Sequence, residues 1–355
     1  MSADVVGAVV LGGEFHALGV VRSLGRHGVP VFVIDDECSI SRFSRYVTGA
    51  ERVADLRDDT RIVETLLDMA SRERLAGWVL YPARDEIVAA LSRHREVLQG
   101  AYRVPTPGWQ SVQWVWDKRN TYRLASELGI PTPRTWYPQQ VEDLQAIDLD
   151  PPLAIKPAIK EHFIYATKAK AWRADDREQL RTRFLEAAAL VPAGEIMIQE
   201  VIPGGGSQQY AYCAFFKDGR AVGSMTVRRR RQHPPDFGRA STFVETVDVP
   251  EIEELSLRFL RAIGYYGLVE VEYKLDPRDG RFKLLDVNAR IWGYHTLGAR
   301  AGVDFSYLQF LDQVGRPVPV CQCRPDVRWI RLVTDLPTSL VEIRSGRLAW
   351  RDFIA

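Results

Sequence analysis

Apolar residues follow two contrasting patterns along the first hundred positions. Continuous apolar runs at Val5–Leu11 and Val31–Asp35 flank a stretch in which apolar residues recur at helical spacing. Such runs are typical of buried strands, and the spacing between them predicts an amphipathic helix. A helix near Arg61–Arg72, a strand at Trp78–Tyr81 and a helix near Asp85–Leu98 continue the alternation. This order predicts a small doubly wound α/β unit.

In the second half of the chain, apolar runs come in pairs separated by turn residues. Gln209–Phe216 and Ala221–Val227 flank Lys217-Asp218-Gly219, a combination that predicts a hairpin. A helix is predicted at Glu251–Ile263, a loop at Gly293–Gly302 and a helix at Phe305–Val314. Residues 316–355 are rich in proline and arginine, predict short strand-like pieces and carry no assigned chemistry.

The clearest hairpin lies between Gly267 and Arg290. Two alternating runs, Leu268–Leu275 and Arg281–Val287, are separated by Asp276–Gly280, which contains a proline and an Asp-Gly pair. Proline cannot donate to a strand ladder, so all five intervening residues are predicted to form the loop. Leu275 then pairs with Arg281.

With this register, Glu272 and Asp286 lie on one face of the hairpin, and the period of two adds Asn288 and Arg290. Two carboxylates, an amide oxygen and a guanidinium suit Mg²⁺ that also carries phosphate oxygens. The alternative interpretation is a solvated polar face on an ordinary hairpin. Glu270 shares the face and is a rival ligand.

Several cations elsewhere suit the same anion. Lys118 stands near a helix start, where a bound anion would relieve its conflict with the helix dipole. Lys156 ends an apolar strand, and Ala158–Lys170 is rich in lysine and aromatic residues, as a mobile cover over phosphates would be. Alternatively, Lys156 is an edge lysine with an exposed amine. The alternative for Ala158–Lys170 is a plain surface hairpin. The run Arg228–Arg231 favours an anionic substrate over nucleic acid.

Length and composition limit the class of protein. The 355 residues exceed one ordinary domain, and the 46% hydrophobic and 26% charged content is that of a soluble globular protein. A net charge of +1 argues against a general polyanion binder. The four cysteines are scattered, and no apolar run is long enough to cross a bilayer, so we expect a soluble cytoplasmic protein with reduced thiols.

Five short motifs follow one another along the chain. They are Asp117-Lys118, Ile155-Lys156-Pro157, Gln199-Glu200 with Pro203-Gly204, Val271-Glu272-Tyr273 and Asp286-Val287-Asn288-Ala289-Arg290. In this order they resemble the ATP-grasp superfamily, in particular its carboxylate–amine ligases, over residues 1–315. The resemblance implies a Rossmann-like pre-ATP-grasp unit at 1–105 and an ATP-grasp domain at 106–315. The subdomains of the latter would be about 106–198 and 199–315, followed by an extension at 316–355.

The resemblance also implies roles for the matched positions. Lys118 and Lys156 would contact ATP phosphates, and Lys156 would also act in catalysis. Glu200 and the backbone of Val201 would contact the adenine, and Gln208 or Gln209 would replace the usual ribose acid.

On the same basis, the residues that would hold one or two Mg²⁺ ions are Glu272, Asp286 and Asn288. Arg290 would stabilise the transferring phosphoryl group. Arg228 and Arg231 would bind the substrate carboxylate.

The function implied is an ATP-dependent ligase that joins a carboxylate, such as an amino acid, to an amine through an acyl phosphate. A homodimer is a further expectation. One alternative is a biotin-carboxylase-like enzyme that uses bicarbonate, and another is a nucleotide sensor without catalysis. A third is an NAD-dependent oxidoreductase built on the first unit, because Gly12-Gly13 and Asp35 partly match a dinucleotide fingerprint.

Overall fold

The computed structural model describes residues 5–234, 237–238 and 240–354. The described chain contains a four-stranded parallel sheet, a four-stranded antiparallel sheet and a larger sheet that is mostly antiparallel. The predicted combination of α/β and α+β architecture is confirmed. The predicted boundaries at 105, 198 and 315 stay predictions.

The first unit is built on the parallel sheet, whose strand order is β3-β2-β1-β4. Its strands are β1 (Ala8–Leu11), β2 (Val31–Asp35), β3 (Val47–Arg52) and β4 (Val79–Pro82). Its helices are α1 (Phe15–Arg26), α2 (Asp59–Arg72), α3 (Asp85–Arg93) and α4 (Arg95–Gln99). Strand β3 was not predicted, because its only apolar side chains are Val47 and Ala50 and they do not form a strand pattern. The single helix predicted near Asp85–Leu98 is wrong, since His94 separates two helices.

The second sheet has the order β5-β8-β6-β7. Its strands are β5 (Thr135–Trp136), β6 (Leu153–Pro157), β7 (Trp172–Ala174) and β8 (Ile196–Glu200). The helices before and around it are α5 (Trp109–Trp116), α6 (Lys118–Glu127), α7 (Lys160–Thr167) and α8 (Arg177–Ala188). Helix α7 lies within the segment Ala158–Lys170. The strand predicted around Ala169–Trp172 begins only at Trp172.

The large sheet follows the order β13-β12-β9-β10-β11-β15, with β14 paired to β10. Its strands are β9 (Gln209–Lys217), β10 (Arg220–His233), β11 (Ala240–Thr246), β12 (Gly267–Leu275), β13 (Phe282–Asn288), β14 (Cys321–Gln322) and β15 (Arg328–Ile330). The helices are α9 (Pro250–Ala262), α10 (Thr296–Ala301), α11 (Phe305–Gln313), α12 (Leu332–Arg344) and α13 (Trp350–Ile354). The loop predicted at Gly293–Gly302 therefore contains a helix, and the last forty residues contain two.

The hairpin β12–β13 differs from the predicted register at its turn. Leu275 pairs with Phe282 and not with Arg281, so the loop has one more residue than predicted. Continued along the strands, this offset would turn Asp286 to the opposite face from Glu272. A β-bulge at Leu285 returns Asp286 to the face of Glu272, and the two residues lie directly opposite each other.

The parallel sheet and the large sheet share one hydrophobic core. Val20 and Leu24 of α1 belong to the same buried cluster as Phe215 of β9 and as Trp292 and Leu297, which follow the hairpin. Burial of this apolar surface fixes the first unit against the end of β13. Residues of the two units can therefore form a common site.

A buried ion pair attaches helix α12 to strand β10 of the large sheet. Nε and Nη2 of Arg231 donate to the carboxylate of Asp335 at 2.9 and 2.8 Å, and Asp335 is fully buried. Because β10 extends to His233, the four arginines lie within this strand and do not follow it. Among the described residues, the helices are too short or too polar to span a membrane.

Two buried histidines pack where the first unit contacts the large sheet. The Nε2 atom of His16 lies 2.7 Å from the carbonyl oxygen of Ala83, and Nε2 of His295 lies 3.0 Å from the carbonyl oxygen of His16. Packing is tight, since a Cβ on Gly19 would lie 2.3 Å from the His295 ring. Burial lowers the pKa of each imidazole to about 4.

These pKa values predict a pH-dependent stability. Both histidines are neutral when folded, so between pH 6.5 and 4 the unfolded chain binds more protons and stability falls as the pH falls. Each contributes a slope of up to about 1.4 kcal/mol per pH unit. In urea titrations over this range, His295→Gln should flatten the slope. The same change at a side chain that is 39% exposed, His27→Gln, serves as the comparison for loss of an imidazole outside the buried contact. Equal slopes in wild type and His295→Gln would contradict the assignment.

Candidate active site

A row of carboxylates lies on one face of the hairpin β12–β13. Glu272 faces Asp286, and Glu270 faces Asn288 in the next pair. Nδ2 of Asn288 donates to Glu270 Oε2 at 3.0 Å and to Glu272 Oε1 at 3.3 Å. All four side chains are largely withdrawn from solvent, so the negative charge of the carboxylates requires nearby cations.

Two cations from other elements meet this charge. Nζ of Lys118, at the start of α6, lies 2.7 Å from Oδ1 of Asp286. Nη2 of Arg229, on β10, lies 3.4 Å from Oε1 of Glu272. The anion expected beside Lys118 at the helix start is therefore, in this structure, a carboxylate of the hairpin.

The ion pairs set the protonation states of the row. Burial alone would raise the pKa of Asp286, but Lys118 and Lys160 hold it at about 2. Burial likewise opposes ionisation of Glu272, but Arg229 and Lys170 lower its pKa below the usual value. Both groups are therefore charged at neutral pH.

Glu270 has a different environment. Tyr294 Oη donates to its Oε1 at 2.5 Å, while Asn288 holds the other oxygen. Burial, together with the charge of Glu272, raises the pKa of Glu270 to about 7. Glu270 thus holds Asn288 in place, and Glu272 and Asp286 are the better anionic ligands.

A cleft of about 120 Å³ opens in front of this row. Its basic lining residues are Lys118, Lys156, Lys160, Lys170 and Arg229. Glu272 and Asp286 form the acidic wall. Four lysines facing two carboxylates form a surface that suits a polyphosphate accompanied by a divalent cation.

The donor set is consistent with Mg²⁺. Within the described ranges, no three His, Cys, Asp or Glu side chains converge into a preformed metal cage. Mg²⁺ does not require one, because it is usually held by one or two carboxylates together with substrate phosphates. Glu272, Asp286 and the amide of Asn288 fit this pattern.

A second cleft, of about 320 Å³, lies between the first unit and α7. It shares Lys160 and Lys170 with the first cleft and is also lined by Arg290 and Asp85. Nε of Arg290 lies 3.0 Å from Oδ2 of Asp85, which also pairs with Lys160. The charged lining is Glu14, Glu37, Arg57, Arg84, Asp85, Glu86, Lys160, Glu161, Lys168, Lys170 and Arg290. This mixture suits a substrate that carries charges of both signs.

The residues predicted to bind the adenine lie beside β8. The carboxylate of Glu200 accepts from the Arg134 backbone N–H at 2.9 Å and from Arg278 Nη2 at 2.7 Å. Val201 directly follows the strand, and Gln208 lies in the short 3₁₀ helix Gly206–Gln208. Of the two glutamines considered, Gln209 lines the first cleft.

The two arginines predicted to bind the substrate carboxylate have protein partners. Arg228 Nε donates to the carbonyl oxygen of Ser207 at 3.0 Å, and Arg231 is paired with Asp335. Neither arginine lines either cleft, whereas Arg229, which lies between them in sequence, lines the first cleft. Alternation along a strand separates Arg229 from Arg228 but not from Arg231, and the register shift between Arg229 and Arg231 has no local signal. In addition, β10 was predicted to end at Val227.

Lys160 and Lys170 were not predicted individually as site residues. Both lie in the lysine-rich segment that was predicted to cover phosphates. Their individual roles depend on α7, which places Lys160 against Asp85, and on contacts with distant elements.

Comparison with known proteins agrees with this geometry. Residues 238–318 match the family model described as "Carbamoyl-phosphate synthase L chain, ATP binding domain". A D-aspartate ligase of Enterococcus faecium is 23% identical over 302 residues, which cover 79% of this chain and 70% of the relative.

Two solved structures share the architecture. The L-amino acid ligase of Bacillus licheniformis is 17% identical, with a TM-score of 0.67 over 87% of this chain and 74% of its own. The biotin carboxylase domain of the Hydrogenobacter thermophilus 2-oxoglutarate carboxylase is 16% identical, with a TM-score of 0.72. The match covers 92% of this chain and 74% of the carboxylase chain. That domain is a dimer in complex with MgADP, ADP and bicarbonate. The resemblance to the ATP-grasp superfamily is thereby confirmed, and the chain has the ATP-grasp fold.

Proposed function

We propose that this protein is an ATP-dependent ligase that joins a carboxylate to an amine. The observation that carries the proposal is the meeting of two clefts at Lys160 and Lys170. One cleft pairs lysines with the carboxylates of the hairpin, and the other is lined by charges of both signs. A triphosphate in the first cleft would point its terminal phosphate towards substrates in the second.

The first cleft would hold ATP. Its phosphates would contact Lys118, Lys156 and Lys160, which replace the lost hydration of the phosphate oxygens. The adenine would lie towards Glu200 and Val201, with Gln208 or Gln209 near the ribose.

Glu272, Asp286 and Asn288 would hold one or two Mg²⁺ ions. Bound Mg²⁺ would supply positive charge that neutralises the phosphate oxygens. Binding would require Lys118 and Arg229 to exchange their carboxylate partners for phosphate, while Mg²⁺ takes their place beside the carboxylates.

The reaction needs positioning and charge neutralisation more than an enzyme nucleophile. A carboxylate oxygen attacks the γ-phosphorus, the bond to ADP breaks, and an acyl phosphate forms. Arg290 would move from Asp85 to the developing charge on the phosphoryl group. An amine then displaces phosphate to give the amide.

The substrate carboxylate is proposed to belong to an amino acid. The two relatives named above are a D-aspartate ligase and an L-amino acid ligase, and the second cleft carries groups for both a carboxylate and an ammonium. Because the arginines at 228 and 231 line neither cleft, Arg290 and Lys168 are better placed to bind this carboxylate. A homodimer is proposed on the precedent of the dimeric carboxylase domain.

One alternative has a specific observation in its favour. The carboxylase domain that contains bicarbonate has the higher TM-score of the two structures, so bicarbonate could replace the organic acid. The oxidoreductase alternative fits less well. A Cβ on Gly13 would lie 1.6 Å from Ser39 Oγ and 2.5 Å from Asp35 Oδ2, so side chains fill the space where a pyrophosphate would approach this turn.

A substrate screen tests the proposed function. Purified protein with Mg-ATP should release phosphate when offered one or a few of the D- and L-amino acids, and an added amine should increase the release. The amine panel contains ammonium, methylamine and L-lysine. A requirement for bicarbonate would favour the carboxylase alternative. ATP binding without phosphate release across the panel would contradict both enzymes and support a sensor.

A second prediction concerns Arg290. Arg290→Ala should lower the turnover number for ADP release by about 100-fold or more, because it removes a donor that opposes charge developing in the transition state. The measurement is ADP release at saturating substrates. Arg183→Ala, at an exposed arginine on α8, serves as the control and should leave the rate unchanged. A near-normal rate for Arg290→Ala would remove its catalytic role.

A further inference from the structure

Glu161 lines the second cleft and is next in sequence to Lys160, a residue that lines both clefts. It belongs to the first turn of α7, and only 8% of it is exposed. It lines a small cavity together with Asp286 and Asn288, and it also lines the larger cleft with Arg290. A group at this position can reach the place where an acyl phosphate and an incoming amine would meet.

The other carboxylates of the larger cleft are either occupied or exposed. Asp85 is paired with both Arg290 and Lys160, and Glu86 accepts a hydrogen bond from the Tyr165 hydroxyl. The side chains of Glu14 and Glu37 are 52% and 59% exposed. None of these four combines burial with a carboxylate that is free to receive a new cation.

Glu161 is buried, and its carboxylate contacts Lys160 and its own backbone N–H. Its Oε1 lies 3.5 Å from Lys160 Nζ, a distance too long for a strong hydrogen bond. Within the described residues, no side-chain hydrogen bond or ion pair connects Glu161 to Glu272, Asp286 or Asn288. The carboxylate therefore keeps most of its capacity to accept a proton.

The charges around Glu161 favour this role. Burial raises the pKa of Glu161, Lys160 and a hydrogen bond from its own backbone N–H lower it, and Asp85 and Glu86 of α3 raise it, with a net increase. The remaining charged groups along the cleft are Glu14, His16, Glu37, Arg57, Arg84, Lys168, Lys170 and Arg290. A carboxylate that is buried among these charges is a stronger base than a solvated one, because accepting a proton removes the cost of keeping a charge away from water.

The proposed reaction needs such a base, because an amine enters from neutral solution as an ammonium ion without a free electron pair. We propose that Glu161 is the general base that deprotonates the amine substrate. The inference rests on the proposed ligase function and adds a catalytic residue for its second step.

A proton passes from the ammonium nitrogen to an oxygen of Glu161, which frees the nitrogen electron pair. The nitrogen attacks the carbonyl carbon of the acyl phosphate, a C–N bond forms and the C–O bond to phosphate breaks. The departing phosphate takes a second proton from nitrogen, and Glu161 returns its proton to solvent. The products are the amide, hydrogen phosphate and one proton.

The test compares amines that differ in protonation. Ammonium, methylamine and L-lysine are protonated at neutral pH, whereas hydroxylamine is largely unprotonated. Hydroxylamine captures acyl phosphates as hydroxamates, which form coloured complexes with ferric iron. Glu161→Gln should lower amide formation with the protonated amines by about 100-fold and change hydroxamate formation by less than about threefold. Glu161→Asp should recover part of the amide formation.

The control is Glu178→Gln, the same change in the first turn of exposed helix α8, which should alter neither product. Equal losses of hydroxamate and amide in both Glu161 variants would overturn the proposal, as would normal amide formation in Glu161→Gln. Hydroxamate formation also reports that the variant is folded. If wild type forms no hydroxamate with any acid of the screen, the proposed ligase function fails instead.

Discussion

The structure depends on one electrostatic constraint, which is that Glu272 and Asp286 face each other on a largely buried sheet surface. Two such charges are costly to desolvate unless cations meet them. Lys118 on α6 and Arg229 on β10 supply these cations, and Lys160 on α7 adds to them. Helices and strands that are distant in sequence are thereby held around one hairpin. A phosphate-bearing ligand with a divalent cation can replace the internal pairs without leaving charge uncompensated.

The hairpin itself could be predicted from sequence because its signals are local. Alternating apolar residues, Pro277 and Gly280 define two strands and a loop within about twenty positions. The register was only partly predictable. The pairing of Leu275 was wrong by one residue, and the bulge at Leu285 brought Asp286 back to the expected face. Nothing in the residue types marks this bulge, because its energy depends on packing against the neighbouring strand.

Long-range contacts were not predictable in the same way. Asp85 and Arg290 are 205 positions apart, and Arg231 and Asp335 are 104 apart, so no local pattern connects them. The first contact joins the parallel-sheet unit to the site, and the second attaches α12. The last forty residues were predicted as short strands, partly because Pro337 lies inside α12. Tertiary packing overrides the local signal there.

The most direct test of the central claim is the position of a metal–nucleotide complex. Crystals grown with Mn²⁺ and a non-hydrolysable ATP analogue would locate the metal by its anomalous scattering. We expect a peak within coordination distance of Glu272, Asp286 and Asn288, with Lys118 moved from Asp286 towards phosphate. A metal bound elsewhere, or a nucleotide outside the lysine-lined cleft, would contradict the central claim.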